Sequence, residues 1–156
     1  MEYTLKISIK SKFLLAGGII AAATAVWHLL CIRGGPSWYA FARAPEVVVN
    51  SAKQGTLLAP ANTVVIASLM FTCTAYAFSG AGLIKKIPLL KSALVTIAFI
   101  CLVRALVTVP YLISSHLDVW ELVASSGWFF VGVCFLMGAL EQFSANAKQI
   151  NYEDYN

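Results

Sequence analysis

The chain has 156 residues, 60% of them apolar and only 12% charged, with a formal net charge of +4 and a mean hydropathy of +0.79. A soluble globular protein carries about a quarter charged residues, so this composition excludes that class and describes a membrane protein. No long basic tract is present, so the positive charge reads as topology signal and attraction to anionic lipid, and nucleic acid is excluded as a partner.

A hydrocarbon core of about 30 Å is crossed by about 20 apolar residues at 1.5 Å each, and four segments reach that length. The first runs from Phe13 to Ile32. Lys6, Lys10 and Lys12 ahead of it and Ala23 to Ala25 within it have the outline of a secretory signal. The apolar run continues through Leu29 and Ile32, however, so it reads as a retained anchor. The sequence then changes abruptly: "WHLLCIRGGPSWYAFARAPE", residues 27–46, gathers a His, two Arg, a Glu, two Trp and a Tyr. Pro36 and Ser37 can open a short helix carrying Trp38, Tyr39 and Phe41. Pro45 suits the first turn of another, with Glu46 favourable at its positive end and Gly55 as its C-cap. Two amphipathic pieces lying in the membrane interface are expected over residues 33–56, and the plainer role for Trp38 and Tyr39 is an aromatic belt. The remaining spans are Leu57 to Ser79, Leu89 to Leu112 and Leu122 to Gln142. The expected fold is all-α: a single integral membrane four-helix bundle over residues 1–156, with short interfacial helices in its first outside loop.

Orientation follows from Lys and Arg. With the N-terminus inside, the inner pieces hold Lys6, Lys10, Lys12, Lys85, Lys86, Lys91 and Lys148, against Arg33, Arg43 and Lys53 outside. This balance places both termini in the cytoplasm.

Depth then gives meaning to the polar residues. His28 and Arg104 each lie fifteen residues above the inner start of their helix, about 22 Å along it. Asn62, five residues below Leu57 on a descending helix, is expected near the same level, as are Ser125 and Ser126. An unpaired Arg in a membrane interior costs roughly 2.5 to 3.5 kcal/mol, so Arg104 should face the bundle and meet a partner. The expected ligand site at the outer face is His28, Arg33, Trp38, Tyr39, Glu46, Asn62, Arg104 and Tyr111. It suits an amphipathic ligand, with acyl or isoprenoid tails against the helices and an anionic or polar head near the cations. The structural alternatives are an Arg104 ion pair with Glu46 or Glu121, snorkelling of Arg104 to the headgroups, and a simple interhelical hydrogen bond for His28.

A second constellation competes for the same face. His116, Asp118 and Glu121 supply nitrogen and oxygen ligands in a connection without Lys or Arg, and zinc uses such groups. The spacing is not a specific signature, and an acidic loop pairing with Arg33 and Arg43 is the plainer and preferred account of it. Other chemistries are excluded. Cys31, Cys73, Cys101 and Cys134 form no C-x-x-C, one membrane His cannot supply paired haem ligands, and no nucleophile, base and oxyanion set is visible. The expected protein is not an enzyme and needs no cofactor; the alternative is a zinc site at the same outer face, serving either structure or a metal-dependent hydrolytic membrane enzyme. Its expected partners are membrane lipids and a second copy of the chain, since Gly17 with Ala21 and Cys134 with Gly138 have the small-xxx-small spacing that lets helices approach closely.

With "WHLLCIRGGPSWYAFARAPE" and "SGAGLIKKIPLL" bounding the first three spans, the chain resembles small four-span bacterial inner-membrane proteins, the AciT-type envelope proteins among them. The likeness covers roughly residues 13–112. It implies a role in envelope integrity and no catalytic residues.

Overall fold

The computed structural model describes residues 8–106 and 119–153. They form six helices: α1 Ile9–Gly34, α2 Pro36–Phe41, α3 Glu46–Gln54, α4 Leu58–Gly80, α5 Leu90–Leu106 and α6 Val119–Glu153. No strand occurs among the described residues, as expected for an all-α chain. Three helices, α1, α4 and the Val119–Ser144 stretch of α6, are long and apolar enough to cross a membrane. The described part of α5 has 17 residues, and the rest of that expected span, residues 107–112, lies outside the described residues.

Two helices overrun their apolar segments for local reasons. At the start of α1, Ser8 Oγ accepts the backbone N–H of Ser11 at 3.2 Å and caps the first turn, so the helix begins at Ile9 instead of Phe13. At the far end of α6 the sequence from 143 to 153 contains no Gly or Pro, so nothing stops the helix where the apolar run ends near Gln142.

The chain divides into two compact units, Met1–Ile19 with Ala75–Asn156, and Ile20–Thr74. In the first unit the ends of four helices close into a ring, and small residues set each contact. A Cβ on Gly18 of α1 would stand 2.7 Å from Ala77 Cβ on α4, and one on Gly17 would stand 2.9 Å from Cys134 Cβ on α6. Gly80 at the end of α4 admits Leu14 and Leu94, and Gly132 of α6 admits Leu102 and Cys101 of α5. Each helix thus touches its neighbours in the order α1, α4, α5, α6 and back to α1, an up-down-up-down arrangement. Leu14, Leu94, Cys134 and Phe135 are fully buried within it. Gly17 and Gly138, which the sequence offered to a dimer contact, serve close packing inside the chain.

Polar groups fasten one end of this ring. The Glu141 carboxylate of α6 accepts hydrogen bonds from the Ser8 and Ser11 hydroxyls at the start of α1, the latter at 2.9 Å. Gln142 Nε2 donates to Gly80 O at 2.9 Å, satisfying a carbonyl that the end of α4 leaves open. Lys91 Nζ lies 5.4 Å from the centre of the Phe143 ring, a cation–π contact. In the α4–α5 connection, Ser79 Oγ donates to Lys85 O at 3.1 Å and accepts the Ile87 N–H at 2.9 Å, which leaves Lys85 and Lys86 exposed.

The second unit joins the remaining lengths of α1 and α4 to α2 and α3. Cys31, Tyr39, Val48 and Ala59, one from each of the four helices, make its small core.

Candidate functional site

The residues between α1 and α4 fold into a fixed cover because their turn chemistry is specific. Gly35, at φ +72° and ψ −159°, reverses the chain in a conformation that only glycine adopts readily, and Pro36 then opens α2. Pro45 stands at the N-cap of α3, one residue ahead of its expected place, with Glu46 in the first turn. Gly55, at φ +67°, ends α3 as expected: its N–H reaches Ala52 O at 3.3 Å and the Thr56 N–H reaches Ser51 O at 3.0 Å, a complete Schellman motif. Ser51, buried on α3, accepts the Ala59 N–H at 2.8 Å and shares a hydrogen bond of 2.7 Å with Thr56 Oγ1, tying α3 to the first turn of α4.

Beneath the cover, Tyr39 is buried and its hydroxyl lies 3.0 Å from Thr63 Oγ1. Thr63 donates its own proton to Ala59 O at 2.8 Å, so Tyr39 is the donor in that pair. Tyr39 is thereby an internal strut and leaves belt duty to others. Trp38 stacks on Trp27 with ring centres 5.3 Å apart, and Phe41 meets Trp27 edge-on at 6.2 Å. This aromatic patch is exposed: Trp27, Trp38 and Phe41 are 37%, 39% and 62% accessible. An open groove of about 190 Å³ is lined by residues of α1, α2, α3 and α4, among them Ile32, Tyr39, Ala52, Ala59 and Pro60.

Of the expected site residues, His28, Arg33, Trp38, Tyr39, Glu46 and Asn62 belong to this unit. His28 is half-buried, and its Nδ1 lies 2.8 Å from Thr24 O; a carbonyl can only accept, so Nδ1 carries the proton. Arg33 sits in the last turn of α1, where a cation is favourable. Arg33, Glu46 and Asn62 are exposed.

Arg104 belongs to the other unit and pairs with Glu121, Nη2 to Oε2 at 3.8 Å, both side chains 38% accessible. Such a half-exposed pair contributes about 0 to 1 kcal/mol. Its Nη1 is buried and has no hydrogen-bond partner among the described residues. Tyr111, His116 and Asp118 lie outside the described residues. Among the described residues no three His, Cys, Asp or Glu side chains gather into a metal-holding group.

Two sets of residues escaped the sequence reading. One is Glu141 with Ser8 and Ser11, whose signal was a carboxylate at the end of one apolar run and a Ser-x-x-Ser pair just ahead of another. The second is Asn50 and Gln54, which follow the expected Glu46 at spacings of four on α3 and line one groove with it. No protein-family model matches the chain, and no curated protein or solved structure is significantly similar to it.

Proposed function

We propose that the protein is a non-enzymatic component of the bacterial inner membrane, with both termini in the cytoplasm, that binds a lipid or small amphipathic ligand at its outer face and supports envelope integrity. One observation carries this: the cover formed by α2 and α3 is anchored from below by a buried core while its other surface keeps large apolar side chains accessible. Phe41, Val47 and Leu57 are 62%, 63% and 81% accessible. A loop bathed in water gains nothing from that arrangement, whereas a loop lying among headgroups buries those side chains against acyl chains and keeps its polar groups wet. Arg33 adds a cation for a phosphate at the same level.

Native mass spectrometry of the gently purified protein tests this. The expected spectrum carries about one retained phospholipid per chain, and Trp38→Ala with Phe41→Ala should reduce the retained fraction several-fold without changing the fold. A spectrum free of lipid, or a lipid signal lost on chelation in place of the aromatic substitutions, would contradict the proposal; the latter would point to zinc.

A further inference from the structure

The groove along α3 has a chemical character of its own. Glu46, Asn50 and Gln54 stand one above another on one face of the helix, all exposed, and line an open groove of about 460 Å³ with Val47, Thr56 and Leu58. Ser51 and Thr56 engage each other, so polar recognition falls to one carboxylate and two carboxamides. Lys53, seven residues beyond Glu46, shares that face. Neither Glu46 nor Lys53 makes an ion pair with a described residue.

Leu58 links the groove to α4, a helix long and apolar enough to cross a membrane. Asn62, Val65 and Leu69 follow it at spacings of four, three and four, a single face whose members are all exposed. Asn62 makes no side-chain hydrogen bond to a described residue. A carboxamide kept from water without a partner is costly, and Asn62 lies about 6 Å along α4 from Leu58, so that with the groove at the headgroups it falls at the level of a phospholipid's ester groups.

We infer that this groove holds the headgroup of a phospholipid bearing a primary ammonium, a conclusion that rests on the lipid-binding function proposed above. The Glu46 carboxylate and the carboxamide oxygens of Asn50 and Gln54 accept the ammonium N–H groups, Lys53 faces the phosphate, and Asn62 donates to an ester carbonyl. The acyl chain runs down Val65 and Leu69. A phosphatidylglycerol headgroup brings only negative charge to Glu46, and a quaternary ammonium has no N–H to donate, so the groove discriminates against both.

The test uses the full-length protein exchanged into mixed micelles with equal amounts of phosphatidylethanolamine, phosphatidylglycerol and phosphatidylcholine of identical acyl chains, read by native mass spectrometry. Phosphatidylethanolamine should be retained at least fivefold over either competitor. Glu46→Gln should lower its retention about tenfold and level the selectivity, because a charge-assisted hydrogen bond is lost. The melting temperature should fall only slightly, since Glu46 is exposed and only its first-turn charge on α3 is lost. Asn62→Leu should lower retention of all three lipids alike, and Lys85→Gln should change nothing. Equal retention of the three headgroups by the wild type, or selectivity that survives Glu46→Gln, would overturn the ammonium site while leaving lipid binding in place. A wild type that retains no lipid would overturn both.

Discussion

Gly18→Leu should leave little folded protein in mild detergent, while Gly127→Leu should be close to neutral. A Cβ at Gly18 would meet Ala77 Cβ at 2.7 Å, and both atoms are fixed to their backbones, so no rotamer change relieves the overlap and α1 must part from α4. Gly17 beside it faces Cys134 Cβ at 2.9 Å, so α1 has no free direction in which to retreat within this ring. Overpacking commonly costs about 1 to 3 kcal/mol, and a branched side chain at a backbone-limited contact belongs at or above the top of that range. At Gly127 an added Cβ meets nothing within 4 Å, and the gain in helix propensity is about 0.5 to 1 kcal/mol. The decisive control is the reciprocal pair: Gly18→Ala alone should lower the melting temperature, and Gly18→Ala with Ala77→Gly should recover most of the loss, because the two sites share one contact.

Leu14→Ala should give the second largest loss, for the opposite reason. Leu14 is fully buried, and the absent side chains of Gly80 and Gly138 are what admit it: a Cβ on either would stand 2.6 or 2.7 Å from its methyl carbons. In a membrane the transfer of leucine from water is not regained on folding, so only the cavity term remains. A void of roughly 70 Å³ at about 24 cal/mol per Å³ costs about 2 kcal/mol. Adding Gly138→Ala to Leu14→Ala should restore part of the stability by refilling that void, whereas Gly138→Ala alone should destabilise. Thermal melts monitored by circular dichroism in one detergent distinguish the four proteins.

Three of the four expected spans stand as helices long and apolar enough to cross a membrane, and they were legible because hydropathy over some 20 residues has one dominant physical cause, the absence of water in the hydrocarbon core. The cover was legible for a different reason, since Pro36, Pro45 and Gly55 each carry backbone preferences strong enough to mark where α2 and α3 begin and end. What each side chain does could not be read that way. Trp38 and Tyr39 are neighbours with the same interfacial propensity, yet α2 turns one outward onto Trp27 and buries the other under α3, and only tertiary packing decides which. Arg104 offered two carboxylate partners by depth alone; the α5–α6 packing selects Glu121. Gly17 and Gly138 had the spacing of a dimer motif, but spacing does not say whether the helix that fills the hollow belongs to the same chain, and here it does. Glu141 could not be matched to Ser8 and Ser11 from sequence, because they are more than a hundred residues away along the chain.

The claim that the α2–α3 cover lies among lipid headgroups is tested most directly by the depth of Trp38. With Trp27, Trp120 and Trp128 replaced by Phe, Trp38 is the sole tryptophan, and its fluorescence can be followed in vesicles whose lipids carry bromine at defined positions. Quenching should be strongest for bromines on the acyl carbons nearest the headgroup and should fall toward the chain ends, the profile of an indole held at the interface. Emission unaffected by bromine at any depth would put the cover in water, and quenching that peaks at the bilayer centre would bury it in the core; either result would contradict a headgroup-level site.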